Sequence, residues 1–294
     1  MNGDFQNKTA FITGGASGIG LAMGRALGRA GMNIMLADID EAAARNAADD
    51  LSRQQIRAEW TPCDVGDRES VQEAAQRTLA AFGKVHVVCN NAGVGVGGEL
   101  GATPASHWDW ILDVNIKGVV FGVEVFLPHL LAHGEGGHIV NTASMAGMLS
   151  PPGLEPYSAT KFAVVALSEG WVQQLAPRGI GMSVLCPGFV RTRIHESARA
   201  RQDRYGGAED APGLNPASAA AVLAGIDADV VGERVREAIH AGEFYIFTHP
   251  NMREAVQMRF AGIMAGFDAA DRSEALKAVK DWPPITTLSP SGGG

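Results

Sequence analysis

Along this chain short continuous apolar runs, each suited to a strand buried on both faces, alternate with longer stretches whose apolar residues recur at helical spacing. The first run, Lys8 to Thr13, leads through a glycine-rich turn into a helix over about residues 18 to 30, and Gly31 marks its stop. A second strand at 33–37, an alanine-rich helix from Glu41, a third strand at 57–63, a helix over about 67–82 and a fourth strand at 84–89 follow. Residues 90–93 break that strand. The stretch of about 105–131 reads as one long helix, bent near Gly118 and with Pro128 near its end. The fifth strand, 137–144, ends at Ser144, a helix carries Tyr157 and runs to about 177, and the sixth strand occupies 181–186. An irregular stretch of about 193–228 is long enough to suggest a functional or mobile insertion. A helix at about 229–241 and a last strand at 243–249 resume the pattern. This order predicts an α/β, doubly wound fold: one mainly parallel sheet of seven strands with helices on both faces. The expected organisation is a single catalytic domain over 1–250 with a substrate-loop insertion at about 189–228, a helical extension over 251–288 and a flexible tail at 289–294. In the extension Met252, Val256, Phe260, Ile263 and Phe267 share one stripe, which something must cover.

Composition narrows the class. A chain of 294 residues, 46% hydrophobic and 19% charged, can bury a full core. No apolar run approaches the roughly 20 residues of a membrane span, and the first strand starts without the basic segment and apolar core of a secretory signal. No membrane is therefore expected as a partner, and the expected location is cytoplasmic. A formal charge of −8 with no basic patch argues against nucleic acid. Cys63, Cys89 and Cys186 lie near strand ends without paired spacing, so buried free thiols are expected. His129 and His133 stand four apart with no third ligand in the pattern, which favours exposed or interface histidines over a metal site.

The candidate chemistry gathers between Ser144 and Lys161. Tyr157 and Lys161 share one helix face, four residues apart, so their electrostatics are coupled. A phenol with a reference pKa of about 10 is a poor base, and lowering that value by roughly three units takes about 4 kcal/mol of preferential phenolate stabilisation. A fixed ammonium supplies that kind of help. Ser144, at a strand's carboxyl end beside the crevice of an open sheet, is placed to hold a substrate oxygen against the phenol. Upstream, Gly14, Gly18 and Gly20 lie between the first strand and first helix, where backbone can approach a pyrophosphate and the helix amino terminus offers N–H groups. A tight connection alone would also explain those glycines. Asp38 closes the second strand eighteen residues beyond Gly20, where an acid accepts hydrogen bonds from ribose hydroxyls; the competing role of helix cap can fall to Asp40.

Taken together these residues resemble the short-chain dehydrogenase/reductase family over roughly 5–250: TGGASGIG at the turn, Cys63-Asp64-Val65, NNAG at 90–93, Asn115, Ser144, the Tyr157/Lys161 pair thirteen residues on, and PGFVRT at 187–192. The resemblance implies that Tyr157 is the general acid/base, that Ser144 positions the substrate oxygen, that Lys161 binds the nicotinamide ribose and depresses the tyrosine pKa, and that Asn115 helps hold a proton-relay water. It implies NAD as cofactor, bound by Gly14, Ser17, Gly18, Ile19, Gly20, Asp38, Asp64, Val65, Asn91, Ala92, Gly93, Pro187, Gly188, Val190 and Thr192 together with Tyr157 and Lys161. The implied activity interconverts a secondary alcohol and its ketone. A biosynthetic ketone reductase would use the same residues, and a nucleotide sensor without turnover would need only the cradle. The family usually associates through the two long helices, so a homodimer or homotetramer is expected. The arginines at 191, 193, 199, 201 and 204 fit a solvated helix face better than a site for an acidic substrate or a cofactor phosphate. The apolar loop after Ser144, with Val94, Val96 and Phe189, suits an uncharged, bulky substrate. GEFYIFTHP and the helix after it also resemble the bacterial dehydrogenases that oxidise benzylic alcohols of lignin-derived aryl ethers, although the last helix serves equally as a cover for core or for a neighbouring subunit.

Overall fold

The structure, a computed structural model, describes residues 4–98, 100–209 and 216–279. Its contacts divide the chain into two compact units, one through Thr248 and one from His249. In the first unit seven strands form one sheet: β1 (Thr9–Thr13), β2 (Asn33–Asp38), β3 (Ala58–Pro62), β4 (Val87–Asn90), β5 (Gly137–Thr142), β6 (Ile180–Cys186) and β7 (Tyr245–Phe247). Their order is β3-β2-β1-β4-β5-β6-β7 and every pairing is parallel. The helices of this unit are α1 (Gly18–Arg29), α2 (Glu41–Arg53), α3 (Arg68–Phe82), α4 (Ala105–Leu112), α5 (Gly118–Ala132), α6 (Glu155–Leu175), α7 (Pro216–Leu223) and α8 (Ala228–Ala241). The second unit contains α9 (Arg253–Asp271) and α10 (Glu274–Lys277).

The apolar runs are continuous because the central strands are covered on both sides. Phe11 and Ile12 are neighbours in β1 yet pack into different cores. Phe11 joins Val88, Trp110, Phe126 and Ile139 on one face, and Ile12 joins Leu27, Leu36, Val140 and Ile246 on the other. Between β1 and β4 the strand order reverses, and at such a switch point the loops leave the carboxyl edge in opposite directions and open a crevice.

Four boundaries depart from the periodicity. The single long helix expected at 105–131 is two helices joined by a π turn at Asp113–Lys117, just before the expected bend. Wide turns of this kind concentrate at functional positions, and this one carries Asn115. β5 stops at Thr142, so Ser144 lies past the strand and caps a 3-10 turn by accepting from the Ala146 N–H at 3.0 Å. α6 starts at Glu155 with Pro156 in its first turn, where a missing N–H costs nothing. The irregular stretch holds 3-10 turns at Ile194–Ala200 and Asp203–Tyr205 as well as α7, whose alanine-rich sequence begins with proline. In the second unit α9 buries none of its residues, and Phe260, Ile263 and Phe267 of the apolar stripe are exposed. The expected tail at 289–294 lies outside the described residues. Among the described residues no helix is long and apolar enough to cross a membrane.

All three cysteines are buried and free, and burial is the largest cause pushing each thiol up to about 12. An unfolded thiol ionises near 9, so above that pH the unfolded chain holds fewer protons than the folded one and stability falls as pH rises. Each thiol contributes a slope of about 1.4 kcal/mol per pH unit in that window. Urea midpoints should therefore drop steeply between pH ~9 and ~11, and Cys89→Ala should flatten the decline. A pH-independent midpoint would contradict this account.

Candidate active site

The turn between β1 and α1 is built by steric necessity. Gly14 has φ of 62°, and a methyl group on Gly20 would lie 2.1 Å from the Gly14 carbonyl oxygen, so backbone meets backbone where any side chain would intervene. Asp40, Asp67 and Asp227 cap α2, α3 and α8 through their carboxylates, whereas Ser17 makes no such bond at the start of α1. Ile19 packs partly against the core beneath the turn. Asp40 takes the capping role, accepting from the Ala43 N–H at 3.0 Å, which leaves Asp38 to the cleft. The Asp38 carboxylate accepts the Ala16 N–H on Oδ2 at 3.0 Å and the Asp40 N–H on Oδ1 at 3.1 Å. Burial raises its pKa, against the two N–H donors and the Arg199 guanidinium, which lower it.

Asn91 and Ala92 are drawn onto the same turn. The Thr13 hydroxyl accepts both of their N–H groups, at 2.9 and 3.0 Å, and Asn91 Nδ2 donates to the Thr13 carbonyl at 3.0 Å. Gly93 follows, pressed between Asn115 and Lys161: a methyl group there would lie 3.3 Å from Asn115 Oδ1 and 3.4 Å from Lys161 Nζ. Asn115 is buried, and its side chain is fully engaged. It accepts the Val94 N–H at 2.8 Å and donates to the Val94 carbonyl at 3.0 Å and to Thr160 Oγ1 at 3.1 Å.

The Ser144 hydroxyl faces the Tyr157 phenol closely enough to lower its pKa. Ser144 Oγ also reaches the Pro187 carbonyl at 3.4 Å, which brings the turn after β6 into the same site. Beyond Pro187 and Gly188, Val190 is buried and bridges to Ile226, and Thr192 sits against Gly18, where a methyl group would lie 3.0 Å from its Cγ2. Val65 is buried against Gly118, and Asp64 follows β3 on the side of Asp38.

The electrostatics differ from the expected coupling. Lys161 Nζ donates to the Thr142 carbonyl at 2.9 Å and lies 5.5 Å from the centre of the Tyr157 ring. Burial lowers the Lys161 ammonium to about 8, and burial pushes the Tyr157 phenol up to about 12 despite the Ser144 hydroxyl. Burial is the largest cause at both groups, so the phenol stands above its ordinary value and the ammonium below its own. Thr13, Thr142 and Thr160 were invisible to the sequence reading, because a threonine that ties a loop has no spacing signal.

Two further expectations change. The arginine cluster is not one solvated face: Arg201 is buried over the Trp110 ring, and Arg204 pairs with Asp64 at 2.8 Å. Val94 and Val96 are packed into the core, whereas Phe189 is 46% exposed and Pro151 and Pro152 of the loop after Ser144 are exposed as well. His133 does cluster with His86 and Glu135. Its Nε2 donates to the Val85 carbonyl at 2.9 Å and its Nδ1 accepts the Glu135 N–H at 3.1 Å. His86 Nδ1 accepts from Thr9 N–H and Nε2 faces Glu135, so the imidazole lone pairs serve the fold.

Comparison with known proteins agrees with this geometry. The C alpha-dehydrogenase of Sphingobium sp. (strain NBRC 103272 / SYK-6) is 35% identical over 266 residues, covering 89% of this chain and 87% of that protein. The 1-deoxy-11-beta-hydroxypentalenate dehydrogenase of Streptomyces exfoliatus is 31% identical over 87% of this chain and 88% of its own length. A short chain dehydrogenase/reductase from Burkholderia phymatum, solved in complex with NAD, superposes with a TM-score of 0.85 at 40% identity, covering 90% of this chain and 96% of that one. With the short chain dehydrogenase profile matching residues 8–203 as well, this chain belongs to the short-chain dehydrogenase/reductase family of oxidoreductases acting on alcohol- and ketone-type substrates.

Proposed function

We propose that this protein is an NAD-dependent dehydrogenase interconverting a bulky secondary alcohol and its ketone. The observation that carries the reading is the Ser144–Tyr157 hydroxyl pair, held beside Lys161 at the carboxyl edge of the sheet. The cradle fits a dinucleotide: the close approach of Gly20 to Gly14 leaves the first turn of α1 open to a pyrophosphate, and each Asp38 oxygen keeps a lone pair for a ribose hydroxyl. When bound, nicotinamide supplies the hydride acceptor or donor. The chain's own residues then manage the oxygen. Tyr157 gives its proton to the ketone oxygen or takes one from the alcohol, and Ser144 turns its single O–H from the Pro187 carbonyl, a contact of 3.4 Å, to donate to the same oxygen as its charge changes. Lys161 holds a cation beneath the phenol. With the Asn115 side chain engaged at Val94 and Thr160, any hold on a relay water falls to its main-chain carbonyl.

The open apolar surface at Phe189 and the likeness to the C alpha-dehydrogenase support an aryl substrate with a benzylic hydroxyl. A screen of secondary and benzylic alcohols with NAD, read as nicotinamide absorbance, tests this reading. No reduction with any of them would overturn it, and turnover confined to aliphatic alcohols would remove the aryl part. The cytoplasm, where the cofactor is supplied, is the location this reading requires.

The same reading includes a homodimer or homotetramer. A groove of about 650 Å³ on α5 exposes Leu127, Pro128, Leu131 and Ala132, with Arg68, Glu124 and Arg178 at its rim, and a second copy of the helix pair would cover it. Light scattering at micromolar concentration should exceed the monomer mass of 30.8 kDa, and a value at that mass would contradict the assembly.

A further inference from the structure

The segment after the Pro187 turn crosses from the cofactor cradle to the opposite wall of the cleft. Thr192 rests against Gly18, Ser197 Oγ accepts the Gly95 N–H at 3.0 Å, and Arg201 Nη2 donates at 3.0 Å to Ser106 Oγ in the first turn of α4. α4 leads on through the π turn to Asn115, so Arg201 stands on the wall that also carries a site residue. Arg201 is only 5% exposed, and a guanidinium cannot shed its charge as a buried lysine can. The carboxylates of its neighbours are engaged elsewhere. Asp64 holds Gln202 Nε2 and Arg204, and Asp113 holds the Tyr205 hydroxyl and Lys117.

Nη2 uses its N–H groups on Ser106 and on the Tyr205 carbonyl, whereas Nε and Nη1 are buried with no acceptor among the described residues. The guanidinium lies 5.6 Å from the centre of the Trp110 ring, and Trp110 Nε1 is a further buried donor without an acceptor. A ring face attracts the charge but leaves the N–H edges unmet. The first turn of α4 adds to the same imbalance, because it has neither a side-chain cap nor an acidic residue to answer its N–H dipoles. Gln202 Oε1, an orphaned acceptor of the segment, is neutral and cannot balance a full charge. Donors gathered at one fixed positive charge match an acceptor-only monoanion, and a phosphate dianion would need a second cation. We propose that Arg201, over Trp110 and beside Ser106, is a subsite for a carboxylate that the substrate carries at a distance from its hydroxyl-bearing carbon. The inference rests on the dehydrogenase reading above and adds a substrate class to it: aryl carbinols that are also acids.

The test uses 4-(1-hydroxyethyl)benzoate and homologues that lengthen its acid arm by successive methylene groups, each paired with its methyl ester. Titration calorimetry on the unmutated protein with NAD present should show at least one acid bound about tenfold more tightly than its ester, the effect of hydrogen bonds between charged partners. Arg201→Gln should bring that pair within about threefold by weakening the acid, and Arg201→Lys should keep only part of the preference. Ser106→Asp supplies a carboxylate to the guanidinium from the chain itself, at a half-buried helix start that favours an acid, and should abolish the preference without unfolding. It decides alone if the Arg201 variants do not fold. Equal affinities for acid and ester at every arm length, or a preference that survives in either folded variant, overturns the inference. Nicotinamide absorbance is followed in parallel: acids that bind by this rule yet are never oxidised would remove the activity reading and leave the carboxylate subsite standing.

Discussion

Tyr157→Phe should lower turnover by about 100-fold or more while leaving NAD affinity within a few-fold, because it removes a proton and an acceptor but keeps the ring. The ring packs partly against the core, so folding should survive. The size of the loss follows from what remains. Ser144 still offers a hydroxyl, yet it is committed to the Ala146 N–H and the Pro187 carbonyl and has no cation beneath it. With the phenol pushed up to about 12, bringing it to neutrality would take roughly five units, about 7 kcal/mol, so in the ligand-free site it works as an acid. Ketone reduction should therefore keep its acid until the pH approaches the phenol's own value, while alcohol oxidation should quicken with pH until Lys161, lowered to about 8, loses its charge. Lys161→Ala should reduce both turnover and NAD affinity. Near-normal steady-state rates for Tyr157→Phe would transfer the acid/base role to another group.

The sheet was legible because burial on both faces leaves no polar alternation to confuse the strands, and Gly31 and Asp40 punctuate the helices at the expected places. The site was legible where chemistry fixes residue type: a glycine at position 20 facing Gly14, an acid ending β2, a phenol and an amine one helical turn apart. What stayed hidden depends on three-dimensional competition. The environment of Lys161 is decided by a carbonyl, Thr142, nineteen residues away, and the pKa of Tyr157 by the depth of a pocket that no spacing encodes. The arginines after the Pro187 turn read as one charged run, but the chain, between two 3-10 turns, sends Arg201 into the core over Trp110 and Arg204 onto Asp64. Side chains three apart would eclipse within one such turn, so it is the extended backbone at Arg201 and Gln202, between the two turns, that sends the two arginines to different partners.

NAD should be preferred over NADP by more than tenfold in kcat/KM, and the preference rests on Asp38. A 2′-phosphate bears roughly −1.5 to −2 at neutral pH and would meet the carboxylate where ribose hydroxyls otherwise donate to it. At about 4 Å and an effective dielectric of about 20, one pair of unit charges costs roughly 4 kcal/mol, and half of that already exceeds a tenfold effect. Rescue needs a cation. Arg25 is paired with Asp229 and Arg29 reaches toward Gln54 at 3.5 Å, so neither is turned to the cleft. Arg199 is the exception: its charge reaches Asp38, although it is exposed and screened by solvent. Burial also raises the Asp38 pKa, which softens the repulsion without supplying a donor to a phosphate. Asp38→Ala should narrow the preference mainly by weakening NAD, since two hydrogen bonds to ribose are lost with the charge. Arg199→Ala should leave NAD kinetics nearly unchanged and make NADP slightly worse. Kinetics with both cofactors on one substrate decide the matter: equal or better efficiency with NADP in the unmutated protein would show that this reading of Asp38 is wrong.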